Sequence, residues 1–362
     1  MESRRVVDAV FMDRALALAE RGRGRTTPNP IVGAVIVSDG VVVGQGAHLE
    51  AGGPHAEVHA LDAAGARARG ATLYCTLEPC AHTGRTGPCV ERIAAAGLAR
   101  VVAAVRDPNP RVAGRGLEYL RAHGIEVAEG VRADAASGQN APFFTWVLRH
   151  RPFVTLKTAV SIDGFVGRRD GPVRLTSAAA DRYLHRQRAE VDAIAVGSET
   201  VLIDDPLLTA RGAYRYHPLI RVLFDWRVRL PTTARVFSTL GAGPVIMAVT
   251  AQAADANRAH IADLERRGVS VERYEHRDVR MVAGRLAARG VVSLLVEGGP
   301  TLHDAFAEAG LVDRVQWVVT PGALGCGVRM TGGVPGPFGA QGARTRALGD
   351  DVLIEIDVHG TD

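Results

Sequence analysis

The pattern of apolar and polar positions divides the first part of the chain into alternating helices and strands. Short apolar runs rich in β-branched residues predict strands, and apolar positions three and four apart predict amphipathic helices. The run IVGAVIV-SDG-VVVGQG predicts a β-hairpin. The predicted helices cover Asp8 to Glu20, Glu57 to Arg69, Cys89 to Ala96, Leu117 to His123 and Asn140 to Arg149, and further predicted strands are ATLYCTL, RVVAAV and IEVA. Together these elements predict a compact α/β sandwich.

A second α/β region is predicted after the segment His150-Arg151-Pro152, which leads into a new strand, FVTLKTAV. Proline disfavours the helical conformation of the residue before it, so we expect the preceding helix to end here. We therefore place a domain boundary between domains 1–150 and 151–362. The predicted strands of the second domain are Ala193 to Val196, Ile220 to Phe224, Val245 to Val249, Val292 to Val296 and Arg314 to Val319. Its predicted helices are Ala178 to Arg188, Ala254 to Arg267, Asp278 to Arg289 and Thr301 to Ala309.

Composition places this chain among soluble globular proteins. Its 362 residues are 47% hydrophobic and 23% charged, which suits two domains. The longest apolar runs are far shorter than the roughly 18 to 20 residues of a membrane span. The opening MESRRVVDAVFMDRALALAERGRGR carries charges throughout, unlike a secretory signal, so we expect a cytoplasmic protein without a membrane partner. The 43 basic and 39 acidic residues nearly balance, which argues against a nucleic-acid partner.

The four cysteines favour a metal site over a disulfide scaffold. Cys75, Cys80 and Cys89 lie close together in the sequence, whereas Cys326 is alone. So few cysteines cannot form a disulfide framework in a chain of this length, and clustered cysteines in an intracellular protein are typical of metal binding.

The most informative motifs are PHAEVHA at 54–60 and EPCAHTGRTGPC at 78–89. His55, Cys80 and Cys89 supply one imidazole and two thiolates, three of the four ligands that zinc takes, and the fourth position stays open for water. Glu57, two residues after the histidine, is placed to move a proton without being a ligand. This order is the H-x-E…P-C…C signature of zinc nucleobase deaminases, which replace a ring amine by a carbonyl.

Other interpretations of these residues are weaker. His55 and His59 are spaced as in H-E-x-x-H hydrolases, but Ala56 stands where that motif has its general base. A non-catalytic zinc protein would need the ligands and would have no use for Glu57. Cys75 lies inside an alternating strand, which predicts a small core residue.

The second domain lacks the glycine fingerprint of a Rossmann fold, since GALGCG at 322–327 has the wrong glycine order. The segment VEGGPTL at 296–302 instead predicts the end of a buried strand, a glycine turn without side chains and the start of a helix. Such a turn admits a pyrophosphate to the helix N-terminus, with Thr301 as a capping hydroxyl. On these residues alone, a purely structural turn explains the segment equally well.

The first domain resembles the bifunctional riboflavin-biosynthesis deaminase/reductase family. The resemblance rests on PNPIVGAVIV, GAHLEAGGPHAE, DPNPRVAGRG and the eight residues between Cys80 and Cys89, where common deaminases have two. It implies a cytidine-deaminase-like α/β/α sandwich holding one zinc on His55, Cys80 and Cys89, with Glu57 as proton shuttle. The substrate-binding residues it implies are Asn29, His48, His82, Arg85, Asp107 and Asn109.

The motifs LKTAVSIDG and AVGSETVLIDDPLLTAR resemble the dihydrofolate-reductase-like reductase half of the same family. The resemblance implies an NADPH site and a sugar-phosphate site. The implied NADPH residues are Ala159, Thr200, Asp204, Gly299, Pro300, Thr301 and Leu302. The implied substrate residues are Arg188, Leu208, Arg211 and Glu297. Two arginines suit a phosphate group because guanidinium forks match phosphate oxygens.

The function implied is hydrolytic deamination of a diamino-ribosylamino-pyrimidinone 5′-phosphate, followed by NADPH-dependent reduction of the ribosyl chain to ribityl. The partner is thus a small phosphorylated pyrimidine, and we expect a homo-oligomer, either a dimer or a tetramer. The alternative is a deaminase whose second domain has altered or lost reductase activity; an RNA-editing deaminase is disfavoured by the balanced charge. Arg174 and Trp226 depart from the family pattern, which has tryptophan and a small polar residue there. Lys157 is the only lysine in the sequence.

Overall fold

The computed structural model describes residues 2–81, 87–110, 112–330, 333, 335–337 and 342–358. Their backbone forms two compact units, one up to His150 and the other from Arg151 onward. Both units are α/β structures, as the sequence predicts. The last helix of the first unit, Ala141–Arg149, is followed by its C-cap His150, whose φ of 52° is left-handed, and Arg151 and Pro152 then lead into the second unit.

The first unit contains a five-stranded sheet within the described residues, in the order β2-β1-β3-β4-β5. Strands β1, β2 and β3 pair antiparallel, and β3, β4 and β5 pair parallel. The strands are β1 (Gly33–Ser38), β2 (Val41–Ala47), β3 (Thr72–Cys75), β4 (Arg100–Ala103) and β5 (Glu126–Glu129). The helices are α1 (Glu2–Ala19), α2 (Ala56–Ala64), α3 (Cys89–Ala95), α4 (Arg115–Ala122), α5 (Ala133–Gln139) and α6 (Ala141–Arg149).

Side chains alternate between the two faces of this sheet and form two separate cores. Ile36, Leu73 and Val101 pack with the apolar faces of α2, α3 and α4. Val35 and Tyr74 point the other way and pack with α1 and α5. The result is a three-layer α/β/α sandwich in which α2 and α3 lie on the same face of the sheet.

The second unit contains a nine-stranded sheet within the described part of the chain, in the order β11-β10-β9-β8-β12-β6-β13-β16-β15. The first seven strands in this order pair parallel, and β16 and β15 continue antiparallel. Its strands are β6 (Phe153–Ser161), β8 (Ala193–Gly197), β9 (Ile220–Phe224), β10 (Val245–Thr250), β11 (Ser270–Tyr274), β12 (Ser293–Val296), β13 (Arg314–Thr320), β15 (Arg344–Leu348) and β16 (Asp351–Asp357), and β7 (Phe165–Gly167) pairs separately with β14 (Val328–Arg329).

Helices cover both faces of this larger sheet. Its helices are α7 (Ala178–Glu190), α8 (Ser198–Asp204), α9 (Ala251–Ala256), α10 (Arg258–Arg266), α11 (Val279–Ala288) and α12 (Pro300–Glu308). Helices α11 and α12 pack on one face, and α7 and α8 to α10 pack on the other. In parallel sheets covered in this way, ligands bind beyond the carboxyl ends of the strands.

Some elements differ from the sequence prediction. The single helix predicted over Ala254 to Arg267 is wrong: the chain breaks at Asn257, whose φ of −123° and ψ of 35° are not helical, and α9 and α10 lie on either side. Helices α5 and α8 and the hairpin of β15 and β16 were not predicted. Helix α5 has the sequence ADAASGQ, in which no apolar period stands out.

Among the described residues, no helix is both long enough and apolar enough to cross a membrane.

Candidate active sites

His55, Cys80 and Cys89 converge in the first unit, although they are distant in sequence. His55 is the residue before α2, Cys80 follows β3 and a proline, and Cys89 begins α3, as the sequence predicts. The Nδ1 atom of His55 lies 3.2 Å from Sγ of Cys89 and 3.5 Å from Sγ of Cys80. All three candidate ligand atoms lie within 4.8 Å of one another.

These residues fit a zinc ion. Zinc bonds of about 2.1 Å to nitrogen and 2.3 Å to sulfur separate tetrahedral ligand atoms by roughly 3.5 Å, close to the observed spacing. The backbone N–H of Cys89 donates to Sγ of Cys80 at 3.3 Å, which stabilises a thiolate there. The side-chain hydrogen bond from the Cys89 thiol, followed by those from His55 and from this backbone N–H, lowers the pKa of Cys80 to about 4, although burial opposes the shift. No fourth protein ligand completes the group among the described residues, so one position remains for water.

Glu57 lies in the first turn of α2, beside this cluster, and is only 3% exposed. Burial raises the pKa of Glu57 to about 6, although the His55 charge opposes this. A carboxyl group with a pKa near neutral pH exchanges protons readily, which suits general acid–base work.

His48 and Asn29 form a polar wall next to the metal ligands. Nδ1 of His48 lies 3.1 Å from the Pro54 carbonyl oxygen, and its Nε2 lies 3.2 Å from Nδ2 of Asn29. This arrangement fits a neutral imidazole that donates from Nδ1 and accepts at Nε2, and burial lowers the pKa of His48. The His48 and His55 rings meet edge to face, with centroids 5.3 Å apart.

A cavity of about 450 Å³ opens over the cluster. It brings together the predicted residues Asn29, His48, His55, Glu57 and Cys80, and also Asp107 and Asn109. Other parts of its wall were missed by sequence reasoning: Glu78, Val112, Phe143, Trp146 and Val147. The last three lie on one face of α6, at spacings of three and four, which is the signal that marks a shared helix face.

The remaining residues singled out in the first unit lie outside the cavity wall or outside the described residues. His82 and Arg85, both predicted to bind substrate, lie outside the described residues. Cys75 is fully buried in the core and its thiol faces the Val102 carbonyl oxygen at 3.7 Å, which agrees with the predicted core role. His59 lies on α2, partly buried, and is not part of the metal-ligand group.

In the second unit, three adjacent strands bring the predicted NADPH residues to one edge of the sheet. Strand β12 lies between β8 and β6, with Val296 opposite both Ala195 and Leu156. Ala159 is near the end of β6, and the 298–302 turn follows β12. Thr200 and Asp204 lie on α8, directly after β8.

The turn before α12 differs from its prediction in one respect. Helix α12 begins at Pro300 with Gly299 as its N-cap, so Thr301 lies inside the first turn and is not the cap. A Cβ atom at Gly298 would lie 3.0 Å from Leu302, whereas Gly299 faces open space. An uncapped helix N-terminus with bare backbone in front of it fits a pyrophosphate, so the turn suits the phosphates of NADPH.

Arg188 and Glu297 face each other rather than open solvent. Nε and Nη2 of Arg188 donate to the two Glu297 oxygens at 2.8 and 2.7 Å. Nζ of Lys157 lies 3.7 Å from the same carboxylate. Burial alone would raise the pKa of Glu297, but the Arg188 and Lys157 charges hold it at about 2. Nε and Nη2 of Arg188 therefore already donate hydrogen bonds within the protein.

Arg211 and Leu208 occupy the loop after α8. Arg211 is exposed, and its guanidinium forms no ion pair with the described residues; its backbone N–H donates to Nδ1 of His185 at 3.2 Å. Leu208 is only 2% exposed and packs in the core with a φ of 53°. Its side chain is therefore part of the core rather than exposed to solvent.

The two departures from the family pattern have structural partners. Arg174 donates to Asp181 at 2.8 Å, and Thr176 donates to the other oxygen of the same carboxylate at 2.5 Å. The Trp226 ring packs against Phe224 and Tyr274, with centroids 5.6 and 5.9 Å away.

The buried Glu57 beside three candidate zinc ligands fits a zinc-dependent deaminase. The mostly parallel second sheet, with an uncapped helix N-terminus after β12, fits a nucleotide-dependent reductase in the same chain. Two family models match: the cytidine and deoxycytidylate deaminase zinc-binding region over residues 6–105, and the RibD C-terminal domain over residues 152–354. The chain belongs to the RibD family of bifunctional deaminases and reductases of riboflavin biosynthesis. Zinc and NADPH are the cofactors of its two domains.

Relatives match along nearly the whole chain. The riboflavin biosynthesis protein RibD of Aquifex aeolicus is 40% identical over 90% of this chain and 90% of its own length. The Escherichia coli protein of the same name is 40% identical over 91% of this chain and 92% of its own. Because both domains are present, the bifunctional interpretation holds over the deaminase-only alternative.

Solved structures agree with this. Acinetobacter baumannii RibD has a TM-score of 0.83 at 35% identity, covering 98% of this chain and 99% of its own. A diaminohydroxyphosphoribosylaminopyrimidine deaminase/5-amino-6-(5-phosphoribosylamino)uracil reductase from Thermotoga maritima has a TM-score of 0.84 at 33% identity, with the same coverage. The α/β fold class predicted for both halves is confirmed.

Proposed function

We propose that residues 1–150 form the deaminase domain and residues 151–362 the reductase domain of this enzyme. The separation of the described residues into two compact units at His150 and Arg151 supports this division. We further propose the substrate named for the Thermotoga relative: a diamino-pyrimidine carrying a phosphoribosylamino group, which is deaminated before its ribosyl chain is reduced.

The observation that carries the deaminase proposal is the convergence of His55, Cys80 and Cys89 beside the buried Glu57. These three ligands would hold zinc, which when bound lowers the pKa of a water molecule to about 7. Glu57 accepts the proton of the attacking water and delivers it to the departing amine. The ring carbon thus gains a C–O bond, loses its C–N bond and releases ammonia.

The cavity over the cluster supports a planar substrate with polar edges. Asn29 and His48 are held by their mutual contact and present fixed hydrogen-bonding groups next to the metal ligands. Asp107 and Asn109 line the rim. His82 and Arg85 remain predicted substrate contacts, and an arginine there suits the substrate phosphate.

For the reductase domain we propose that NADPH lies along the edge formed by β8, β12 and β6. The residues proposed to bind it are Ala159, Thr200, Asp204, Gly299, Pro300, Thr301 and Leu302. Arg188, Leu208, Arg211 and Glu297 are proposed to line the sugar-phosphate site. Within that set, the Arg188–Glu297 pair supports a polar wall, and Arg211 is the arginine available for the phosphate.

We also propose a cytoplasmic location. Cys75, Cys80, Cys89 and Cys326 form no disulfide bonds, which supports a reducing compartment. Assembly into a dimer or a tetramer stays a prediction, which light scattering of the purified protein would test.

Metal content and ammonia release together test the deaminase proposal. We expect one zinc per chain by elemental analysis, with ammonia release lost on chelation and restored by adding zinc. NADPH oxidation on a substrate already deaminated should survive chelation, because the reductase residues include no metal ligand. Zinc-free protein that still releases ammonia would contradict the proposal.

A further inference from the structure

Glu78 is a buried carboxyl group for which the deamination chemistry itself has no use. It follows β3 and immediately precedes Pro79 and the metal ligand Cys80, yet it does not belong to the metal-ligand group. Its side chain is 4% exposed and forms no ion pair with the described residues. A buried carboxyl group is costly unless hydrogen bonds satisfy its oxygens, so its partners identify its role.

The partners of Glu78 are three backbone N–H groups from the segment between β4 and α4. Oε2 accepts from Asp107 at 3.3 Å and from Gly114 at 2.9 Å, and Oε1 accepts from Gly116 at 2.9 Å. Asp107 begins the loop, whereas Gly114 and Gly116 lie at its end and in the first turn of α4. One side chain therefore closes the loop at both ends.

Glycines at the end of this loop and in the first turn of α4 allow the Glu78 carboxyl group to contact the backbone. Gly114, the N-cap of α4, has a φ of 83° and offers no capping side chain, so Glu78 supplies the oxygen that caps the helix from outside. A Cβ atom at Gly116 would lie 2.0 Å from the Pro79 carbonyl oxygen. Only glycine permits this close approach between the start of α4 and the segment that carries Cys80.

The loop that Glu78 closes also supplies part of the cavity wall. Asp107, Asn109 and Val112 all line the cavity over the metal ligands. Within the loop, Asp107 accepts from the Asn109 N–H at 2.8 Å, and Asn109 accepts from the Val112 N–H at 2.8 Å. Fixing Asp107 therefore fixes the turn that presents Asn109.

We propose that Glu78 is a positioning residue for the deaminase substrate: its hydrogen bonds to Asp107, Gly114 and Gly116 hold the described loop residues, 107–110 and 112–114, at a fixed distance from the candidate metal ligand Cys80, so that Asn109 contacts the bound substrate. This inference rests on the proposed substrate role of that loop. Glu78 acts through the loop and takes no part in proton transfer.

The variant Glu78→Gln tests this directly, because an amide has one oxygen where the carboxylate has two. At least one of the three N–H groups then faces an NH₂ group. We expect the KM for ammonia release to rise roughly ten- to a hundredfold, the range for loss of a hydrogen bond to a charged group. The kcat should stay within about threefold, because the lost contact binds the substrate equally well in the ground state and in the transition state. The zinc content should stay at one per chain.

Two further variants keep the test decisive. Glu118→Gln, an exposed position on the same helix, is the matched control and should leave KM unchanged. Gly116→Ala disturbs the same contact from the loop side, so it should raise KM in the same way, even if Glu78→Gln fails to fold. Loss of kcat or zinc at unchanged KM, or no change in either variant, would overturn the proposal.

A double-variant measurement separates this inference from the proposed function. Asn109→Ala alone should raise KM, and adding Glu78→Gln to it should have little further effect, since both remove the same loop contact. If Asn109→Ala leaves KM unchanged, the proposed substrate role of the loop fails. If Asn109→Ala raises KM and Glu78→Gln does not, only the positioning role of Glu78 fails.

Discussion

At the scale of single residues, Glu57 is the group on which the proposed deamination depends most. Glu57→Gln keeps the shape of the side chain and removes its ability to carry a proton. We expect ammonia release to fall by at least about a hundredfold, the lower range for loss of a general acid–base group, with zinc content unchanged. Steady-state ammonia assays and elemental analysis measure both quantities.

The control for Glu57 is Asp62→Asn, an exposed carboxyl group on the same helix that pairs with Arg92. This variant should keep full activity. Turnover by Glu57→Gln at the rate of the unaltered protein would remove Glu57 from the proposed role.

Arg188 and Arg211 should differ although both are arginines near the proposed sugar-phosphate site. Arg211 has no ion-pair partner among the described residues, so Arg211→Ala should lower the reductase kcat/KM roughly ten- to a hundredfold through KM. The NADPH KM and ammonia release should stay unchanged, because the NADPH phosphates are assigned to the turn before α12. Initial rates of NADPH oxidation with each substrate varied in turn provide the measurement.

Arg186→Ala, an exposed position on α7, is the matched control for Arg211→Ala and should have no effect. Arg188→Ala should lower kcat as well, since it leaves the Glu297 carboxylate buried beside Lys157 alone. If Arg211→Ala weakens NADPH instead of the substrate, the assignment of the two phosphates is reversed.

At the scale of secondary-structure elements, a buried histidine connects α12 to β6. His303 is 1% exposed, and its Nδ1 lies 3.2 Å from the hydroxyl of Thr158. Burial lowers the pKa of His303 to about 4. The neutral imidazole is therefore part of the packing that holds the NADPH turn on the sheet.

This histidine predicts a loss of stability in mild acid. Its pKa is lower in the folded chain than the ~6.5 of an unfolded one, so the unfolded state binds more protons between these values. The contribution of His303 to the free energy of unfolding is complete above pH ~6.5 and falls by about 2 kcal/mol by pH ~5. Urea unfolding of the full chain at several pH values measures how steeply the free energy of unfolding depends on pH. His303→Gln should make this dependence less steep, and an identical dependence in both proteins would contradict the prediction.

Sequence patterns predicted elements whose period or punctuation is strong. The β1–β2 hairpin, strand β6 and the helix that begins at Cys89 follow apolar runs with clear ends. The break at Asn257 was not predicted, because the apolar spacing continues across it; in the structure the Asn257 side-chain amide donates to the Ala253 carbonyl oxygen at 2.8 Å and the backbone of Asn257 leaves the helical region. Helix α5 lacks an apolar period of its own.

The convergence of His55, Cys80 and Cys89 was predictable because their spacing is a chemical signature, whereas much of the cavity wall was not. The sequence does not show that Glu78 accepts hydrogen bonds from three backbone N–H groups, because these lie 29, 36 and 38 residues further along the chain. The Arg188–Glu297 pair also joins distant segments. Both residues were predicted to bind substrate, but nothing in the sequence indicates that they bind each other.

At the scale of the whole molecule, we propose that each of the two α/β units performs one step of a two-step conversion. In this proposal, deamination needs the candidate metal ligands and Glu57 of the first unit, and reduction needs the turn before α12 and the proposed sugar-phosphate site of the second. A single chain then performs both steps in that order on one phosphorylated pyrimidine.

Parallel recording of ammonia and NADPH in one reaction tests this claim most directly. Purified protein is given the diamino-pyrimidine phosphate with and without NADPH. We expect ammonia release in both cases, one NADPH oxidised per ammonia when the cofactor is present, and loss of both signals in Glu57→Gln. Ammonia release without NADPH oxidation, or NADPH oxidation that continues in Glu57→Gln with this substrate, would contradict it.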